Sequence, residues 1–279
     1  MNKIKLLGAA ITLALITSTS AQAIVITSDT SAASLAAAVT SGGGLTVVGT
    51  PTLSGHTSGA ATSSGTYTNA SGTYAIGPGI VLSSGNVKAY GDGPNGLSNN
   101  TTSYGVAATA AQEALLDPIT GGSFNHNDVT QLNINFTTTT GSVFFNVVFG
   151  SEEWPEFVGS TFIDAFGLYL NGVNIAFYQG SPININHPSI GARPGTELDG
   201  VLPATGLPMP FSANGLDTGR THTLTFIIAD SGDSILDSTA YISRLSGTAD
   251  PVVGVPEPAT LALLGLGLAG IGMARRRKS

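Results

Sequence analysis

The chain has 279 residues, no cysteine, and ten basic against seventeen acidic residues, which gives a formal net charge of −7. The lack of cysteine excludes disulfide bonds, thiolate metal sites and a cysteine nucleophile. Six basic residues lie near the two ends, so the part from Ile24 to Pro258 holds four basic and seventeen acidic residues, a formal charge of −13. Such a body lacks the basic surface that nucleic acids require, and it favours cations as partners.

The first 23 residues have the three parts of a signal peptide. Lys3 and Lys5 supply positive charge, residues 6–16 are apolar, and the small residues Ala21 and Ala23 mark a cleavage site. The pattern predicts export by the Sec machinery and a mature protein that begins at residue 24.

Residues 24–249 are predicted to form one all-β domain, an antiparallel β-sandwich of jelly-roll-like type with one or two short helices. Alternating apolar residues predict a strand over 132–136 and another over 143–149, with Thr140-Gly141 as a hairpin turn between them. Asn171-Gly172 is a second and stronger hairpin signal. Residues 221–228 and 240–245 read as later strands.

Helix is a minor component of this prediction. One helix is expected over 31–39, capped by Asp29 or Thr30, and another over 106–116, stopped by Pro118. The Gly/Ser/Thr-rich stretch 41–77 reads either as a linker or as edge strands with long turns.

Two acidic clusters follow predicted strands in a chain with few charges. Both lie where strands end in loops, so packing of the strands could bring the carboxylates together, and they would repel one another without a cation. Ca²⁺ takes six to eight oxygen ligands, which several loops can supply. We therefore predict a calcium site formed by Glu152, Glu153, Asp164, Asp230, Asp233 and Asp237.

Two other functions remain open at this stage. A glycoside hydrolase would use Glu153 and Glu156 as its carboxyl pair, with Trp154 as a platform for a sugar. A carbohydrate-binding module or adhesin would use exposed tyrosines, for which the candidates are Tyr67, Tyr74, Tyr90 and Tyr104. No serine-hydrolase motif is present, and we expect that the protein is not an enzyme.

The chain resembles the choice-of-anchor L family between about residues 76 and 245. The resembling segments are 79–87, 93–95, 149–160, 164–167, 174–176, 199–200, 228–233 and 237–238. Trp154 stands where the family more often has Tyr. The resemblance implies an extracellular β-domain that is paired with one of several C-terminal anchors, and it says more about location and fold than about chemistry.

The C-terminal segment 256–279 follows a short linker at 250–255. Pro256 and Pro258 fix the backbone around Glu257, and residues 259–273 carry no charge. As a helix these residues would span about 22 Å, short of the roughly 30 Å of a bilayer core. The basic end, Arg275 to Lys278, should stay cytoplasmic. A transmembrane helix over 259–273 is the prediction.

This tail closely resembles the PEP-CTERM sorting signal of diderm bacteria. The match covers the tripeptide Pro256-Glu257-Pro258, the short apolar span, and the basic residues Arg275, Arg276 and Arg277. The resemblance implies transient anchoring in the inner membrane and cleavage by an exosortase, a membrane cysteine protease. We therefore expect a structural or interaction protein at the cell surface or outside the cell, with extracellular polysaccharide or matrix proteins as partners.

Overall fold

The computed structural model describes residues 24–122 and 124–249. They form two large antiparallel β-sheets that pack face to face, with two α-helices, so the predicted all-β sandwich is confirmed. The predicted signal peptide, linker and transmembrane helix lie outside the described residues. Within those residues, no helix is long and apolar enough to cross a membrane.

The strands are numbered in chain order. The first ten are β1 Ile24–Ser28, β2 Leu45–Val47, β3 Thr52–Ser54, β4 Thr57–Ser58, β5 Ala61–Thr62, β6 Ser64–Asn69, β7 Gly79–Ser83, β8 Asp92–Gly93, β9 His126–Thr138 and β10 Ser142–Ser151. The others are β11 Ala165–Leu170, β12 Val173–Asn174, β13 Phe177–Tyr178, β14 Ser181–Asn184, β15 Gly195–Thr196, β16 Gly200–Leu202, β17 Met209–Asn214, β18 His222–Ser231 and β19 Ser238–Ser243. Helix α1 is Ala32–Val39 and helix α2 is Ala110–Thr120.

The first sheet has the order β1-β6-β7-β19-β10-β16, and β17 also pairs with β10. The second sheet has the order β13-β14-β11-β18-β9-β2, with β12 on β11 and β3 on β9. The stretch 41–77 therefore contributes strands to both sheets and is not a linker. The main core lies between the sheets.

The turn at Thr140-Gly141 is not a hairpin turn, and this prediction was wrong. β9 belongs to the second sheet and β10 to the first, so the chain crosses from one sheet to the other at this point. The apolar faces of the two strands, represented by Ile134 and Phe145, meet in the same core. Alternation identified the strands and their apolar faces, but not their partners, because a stacked pair and a hydrogen-bonded pair carry the same period.

The hairpin at Asn171-Gly172 is confirmed. β11 pairs with β12 through Leu170 and Val173, and both turn residues have positive φ, 52° and 81°. Asparagine and glycine are the residues that tolerate this conformation in a two-residue turn.

Helix α1 lies within one residue of the predicted range, but its N-cap is Ser31. Helix α2 begins at residue 110 because the residues before it are bonded to β9. The N–H of Val106 donates to the carboxylate of Asp128, and the N–H of Ala108 donates to the carbonyl of His126. Thr109 and Gln112 form a capping box at its start, and the helix runs past Pro118 to residue 120. The predicted start at 106 and stop before Pro118 were therefore wrong. The helix covers the outer face of the second sheet with Leu116 and Ile119.

Candidate cation site

One end of the sandwich gathers the ends of four central strands. In the first sheet, β10 ends beside the start of β19, where Ser151 pairs with Ser238. One residue further, the backbone N–H of Glu152 donates to the carbonyl of Asp237 at 3.1 Å. The register of these two strands therefore places one predicted ligand beside another.

The second sheet brings two more acids to the same end. Ala165, the first residue of β11, pairs with Ala229 of β18. Asp164 precedes this pair and Asp230 follows it, and Asp164 Oδ1 accepts the N–H of Ser231 at 3.0 Å. Antiparallel pairing thus places Asp164 beside Asp230 in the second sheet, as it places Glu152 beside Asp237 in the first.

A hydrogen bond joins the acids of the two sheets. The hydroxyl of Ser238, at the start of β19, donates to Asp164 Oδ2 at 2.8 Å. Asp237 is held by the N–H of Thr102 at 2.9 Å and by the hydroxyl of Tyr90 at 3.4 Å. The acids of both sheets therefore belong to one network.

Five of the six predicted ligands are almost fully buried. Their side chains are 0 to 1 % exposed: Glu152, Glu153, Asp164, Asp230 and Asp237. The sixth, Asp233, is half-buried at the rim, where its carboxylate accepts the N–H of Ile235. Loops with this composition ordinarily hold exposed acids, so burial is the property that separates this cluster from a solvated turn.

Several buried carboxylate oxygens have no hydrogen-bond partner. They are Glu152 Oε1, Glu153 Oε2 and both side-chain oxygens of Asp230. Ser84 lies close enough to Asp230 to lower its pKa in part, but it falls outside hydrogen-bond geometry. A buried carboxylate without a donor or a cation is costly for a folded protein.

Basic side chains do not compensate these acids. Lys88, Arg193, Arg220 and Arg244 are the basic residues in the described part of the chain, and all four are exposed. Within residues 24–122 and 124–249, the one ion pair joins His126 to Glu113, outside this cluster. The charge of the buried acids must therefore be balanced by bound protons or by a cation from solution.

Burial is the main cause of raised pKa values in the two glutamates. It raises the pKa of Glu152 to about 8, with Asp199 and Asp237 adding to the rise and a hydrogen bond from the Asn100 N–H opposing it. Burial, with the nearby charges of Asp164 and Asp233, raises the pKa of Glu153 to about 9.

The three buried aspartates shift in the same direction. Burial raises the pKa of Asp237 to about 6, less far because Thr102 donates to its carboxylate. Burial also raises the pKa values of Asp164 and Asp230 well above their usual range, and the charge of Asp237 raises both further. At neutral pH the cluster without a cation therefore holds several protons.

The acids of this cluster are not packed as tightly as a closed cage. Among the described residues, the one group of three whose ligand atoms all lie within 4.8 Å of one another is Glu113, Asp117 and His126. Sequence reasoning missed that group because the predicted helix ended at residue 116, whereas the helix continues to residue 120 and places Asp117 one turn after Glu113.

The residues considered for sugar hydrolysis have different surroundings. Glu153 is buried and Glu156 is exposed. Trp154 is half-buried and packs on Gly200, where an added Cβ would lie 2.5 Å from the Trp154 Cβ. The tryptophan therefore anchors the loop after β10 against β16.

The tyrosines predicted to be exposed are mostly buried, and this prediction was wrong. Tyr67, Tyr74 and Tyr90 are 0 to 4 % exposed, and Tyr104 is half-buried against His56. Tyr67 and Tyr74 pack against Tyr241 on the outer face of the first sheet. The cause is that central strands such as β7 and β19 are covered on both faces, so positions outside the main core are also buried.

Asp128 of β9 is a buried acid that sequence reasoning also missed. Its carboxylate accepts the N–H groups of Tyr104, Gly105 and Val106 and the hydroxyl of Ser103. Its own φ is 51°. Asp128 therefore fixes the loop before α2 and has its hydrogen bonds satisfied within the protein.

The residues of the processing signals lie outside the described residues. These are Ala21 and Ala23 at the start, and Pro256, Glu257, Pro258, Arg275, Arg276 and Arg277 at the end.

Comparison with protein families gives two matches. The family model described as the Choice-of-anchor L domain matches residues 24–198, and the PEP-CTERM protein-sorting motif matches residues 254–278. The first match contains Glu152, Glu153 and Asp164, whereas Asp230 and Asp237 lie beyond it. Neither the curated proteins nor the solved structures gave a match.

Proposed function

The chain belongs to the choice-of-anchor L family and carries a PEP-CTERM sorting motif, and from this premise we propose that its β-sandwich is a non-catalytic structural or interaction domain stabilised by Ca²⁺. The sorting motif implies an exosortase substrate that is exported, held for a time in a membrane, and then found at the cell surface or outside the cell. We further assign export to the Sec machinery of a diderm bacterium and the temporary inner-membrane anchor to residues 259–273.

One observation supports the calcium proposal above the others. Asp230 is fully buried in a central strand, and neither of its carboxylate oxygens has a hydrogen-bond partner. Asp164 and Asp237 add two more buried carboxyls on the neighbouring strand ends. Protein interiors rarely keep such a group bare, because its lost hydration must be replaced.

The donor set favours calcium over other common ions. The cluster offers oxygen atoms and no imidazole or thiolate, and hard oxygen ligands suit Ca²⁺ and Mg²⁺. Ca²⁺ accepts six to eight ligands in flexible geometry, whereas Mg²⁺ requires a near-ideal octahedron and loses its water reluctantly. Acids from four strand ends, with water completing the shell, meet the first requirement better than the second.

No three of these acids, all of them among the described residues, have ligand atoms that all lie within 4.8 Å of one another, and this is consistent with a cluster that holds no ion. Like charges at close range repel one another, so carboxylates without an ion stay apart or bind protons. Binding of Ca²⁺ would release those protons and draw the carboxylates of Asp164, Asp230 and Asp237 toward the ion. The ion would then tie β11 and β18 of one sheet to β19 of the other.

A structural or interaction role also fits the positions of the residues that were candidates for sugar binding or hydrolysis. Three of the four tyrosines are buried, and Glu153 and Glu156 lie in different surroundings. Extracellular polysaccharide or matrix proteins remain the proposed partners of the domain. We propose no catalytic residue.

Thermal unfolding of the exported protein tests the calcium proposal. Calcium at about 100 times its Kd should add about 2.7 kcal/mol to the free energy of unfolding. For a domain of this size that corresponds to a rise in Tm of roughly 5–10 °C over the value in chelator. Magnesium at the same concentration should give a smaller rise.

Two acid-to-amide variants make the test specific. Asp230→Asn should raise Tm in chelator at pH 8, because a carboxyl whose pKa is raised well above its unfolded value destabilises the folded protein at this pH, and it should abolish most of the rise with calcium. Glu156→Gln, an exposed acid after the same strand, should keep the full response. Equal Tm values with and without calcium in the unmodified protein would refute the calcium site.

A further inference from the structure

A second group of candidate metal ligands lies where helix α2 covers the start of β9 on the outer face of the second sheet. Glu113 and Asp117 are one helical turn apart on α2, and His126 is the first residue of β9. One ligand atom from each residue lies within 4.8 Å of the other two. We propose that these three residues bind a divalent transition-metal ion of the Zn²⁺ type.

The imidazole is already held in place. The carboxylate of Glu113 accepts the backbone N–H of His126 at 3.1 Å and lies 2.5 Å from its Nδ1. His126 is 0 % exposed, whereas the side chain of Glu113 is 27 % exposed. A fixed, buried imidazole beside a carboxylate that can move is a suitable start for a metal site, because few degrees of freedom are lost on binding.

Two atoms at this place lack partners. His126 Nε2 and Asp117 Oδ1 are both buried and have no hydrogen bond. Because an ionised carboxylate only accepts, Nδ1 donates to Glu113, and a metal ion that replaced this proton would lie between Nδ1 and the carboxylate. The group therefore keeps one buried polar atom of the His126 ring and one of Asp117 without a hydrogen-bond partner, which is unusual in a protein interior.

The donor chemistry differs from that of the acidic cluster. One imidazole nitrogen with two carboxylate oxygens suits Zn²⁺ and related ions, whereas Ca²⁺ prefers oxygen alone. Tetrahedral ligands about 2.0–2.2 Å from zinc lie roughly 3.3–3.6 Å from each other. His126 Nδ1 and Glu113 Oε2, now 2.5 Å apart, therefore need to separate by about 1 Å, and the part-exposed glutamate side chain can make this movement.

The ligands also stand on elements that are firmly placed. Leu116 and Ile119 pack α2 on the sheet, and Thr109 with Gln112 caps its start. An ion at this place would link the helix α2 directly to the start of β9. It would act as a clip that holds the helix on the sandwich.

Titration with Zn²⁺ and Co²⁺ tests this site in the exported protein. Calorimetry should find one zinc ion bound per chain, and Co²⁺ should give the visible absorption of a low-symmetry nitrogen and oxygen site. Asp117→Asn should weaken zinc binding at least tenfold, and His126→Gln should weaken it further. Circular dichroism of each variant checks the fold. Asp117 is half-buried, so Asp117→Asn should fold and can test the site even if His126→Gln does not.

The control separates this site from the proposed calcium site. Asp230→Asn should bind zinc as the unmodified protein does, and ¹⁵N NMR should show a shift of a His126 ring nitrogen on addition of zinc. Zinc binding that is equally strong in Asp117→Asn and unmodified protein, or no binding below millimolar zinc, would overturn the proposal and leave a hydrogen-bonded His–Glu pair.

Discussion

Two buried aspartates on neighbouring strands have opposite surroundings. Asp128 of β9 accepts four hydrogen bonds, three of them from the backbone of the loop before α2. Asp230 of the paired strand β18 accepts none. Both side chains are 0 % exposed, so exposure does not explain the difference.

The contrast shows that this fold can provide hydrogen-bond donors to a buried carboxylate that has a structural role, as it does for Asp128. Backbone N–H groups and one hydroxyl provide donors to both carboxylate oxygens of Asp128. The surroundings of Asp230 supply other acids in their place, with Asp164 and Asp237 as its strongest charged neighbours. The lack of donors around Asp230 is the observation on which the proposed cation site depends.

The largest expected effect comes from breaking the satisfied member of this pair. Asp128→Ala leaves the N–H groups of Tyr104, Gly105 and Val106 without their acceptor. Each lost bond to a charged group costs on the order of 1.5–3 kcal/mol, so the variant should lose about 3 kcal/mol or more in denaturant unfolding. The loss should be the same with and without calcium.

A matched change removes one contact from the same carboxylate. Ser103→Ala deletes the one hydroxyl donor, together with the contact of that hydroxyl to Ser234 Oγ at 2.8 Å, and should cost about 1 kcal/mol. If Asp128→Ala cost no more than Ser103→Ala, the loop would not depend on Asp128, and the contrast with Asp230 would lose its meaning.

A smaller effect is expected from crowding Asp237, one of the charged neighbours of Asp230. A Cβ on Gly85 would lie 1.6 Å from Asp237 Oδ2, so Gly85→Ala must displace that carboxylate. Overpacking of this kind costs about 1–3 kcal/mol. Calcium affinity, measured by calorimetry, should fall at least tenfold because a ligand has moved.

Gly93→Ala provides the control for this substitution. A Cβ at that position meets nothing within 4 Å, so stability should change by no more than about 0.5 kcal/mol and calcium affinity should not change. Unchanged calcium affinity in Gly85→Ala would place the ion away from Asp237.

Local sequence signals predicted the strands and one turn of this fold well. Asn171-Gly172 was predictable because its residues tolerate positive φ. Thr140-Gly141 was misread because alternation does not reveal whether the next strand pairs in the same sheet or stacks from the other. Both helices were found, but the start of α2 depended on pairing of Val106 and Ala108 with β9, which no local signal shows.

The candidate site was predictable in part for a related reason. Acids at the ends of strands predicted that Asp164, Asp230 and Asp237 would converge, and antiparallel register brings them to one end of the sandwich. Their burial was not predictable, because it depends on the packing of both sheets and of the loop around Thr102. The same packing buried Tyr90, which sequence alone placed at the surface.

The pH dependence of stability, with and without calcium, tests the central claim most directly. Burial raises the pKa values of Asp237, Glu152 and Glu153 to about 6, 8 and 9, above their unfolded values near 4. A carboxyl with a raised folded-state pKa binds its proton more tightly in the folded protein. Its contribution to stability is therefore complete below about pH 4 and is lost as pH rises through the folded value.

Denaturant unfolding in chelator should accordingly show stability falling between pH 5 and pH 9. In about 10 mM calcium the fall should be flattened or reversed, because deprotonated carboxylates bind the ion more tightly. Identical profiles in chelator and in calcium would contradict the claim that the buried acids of this sandwich form a cation site.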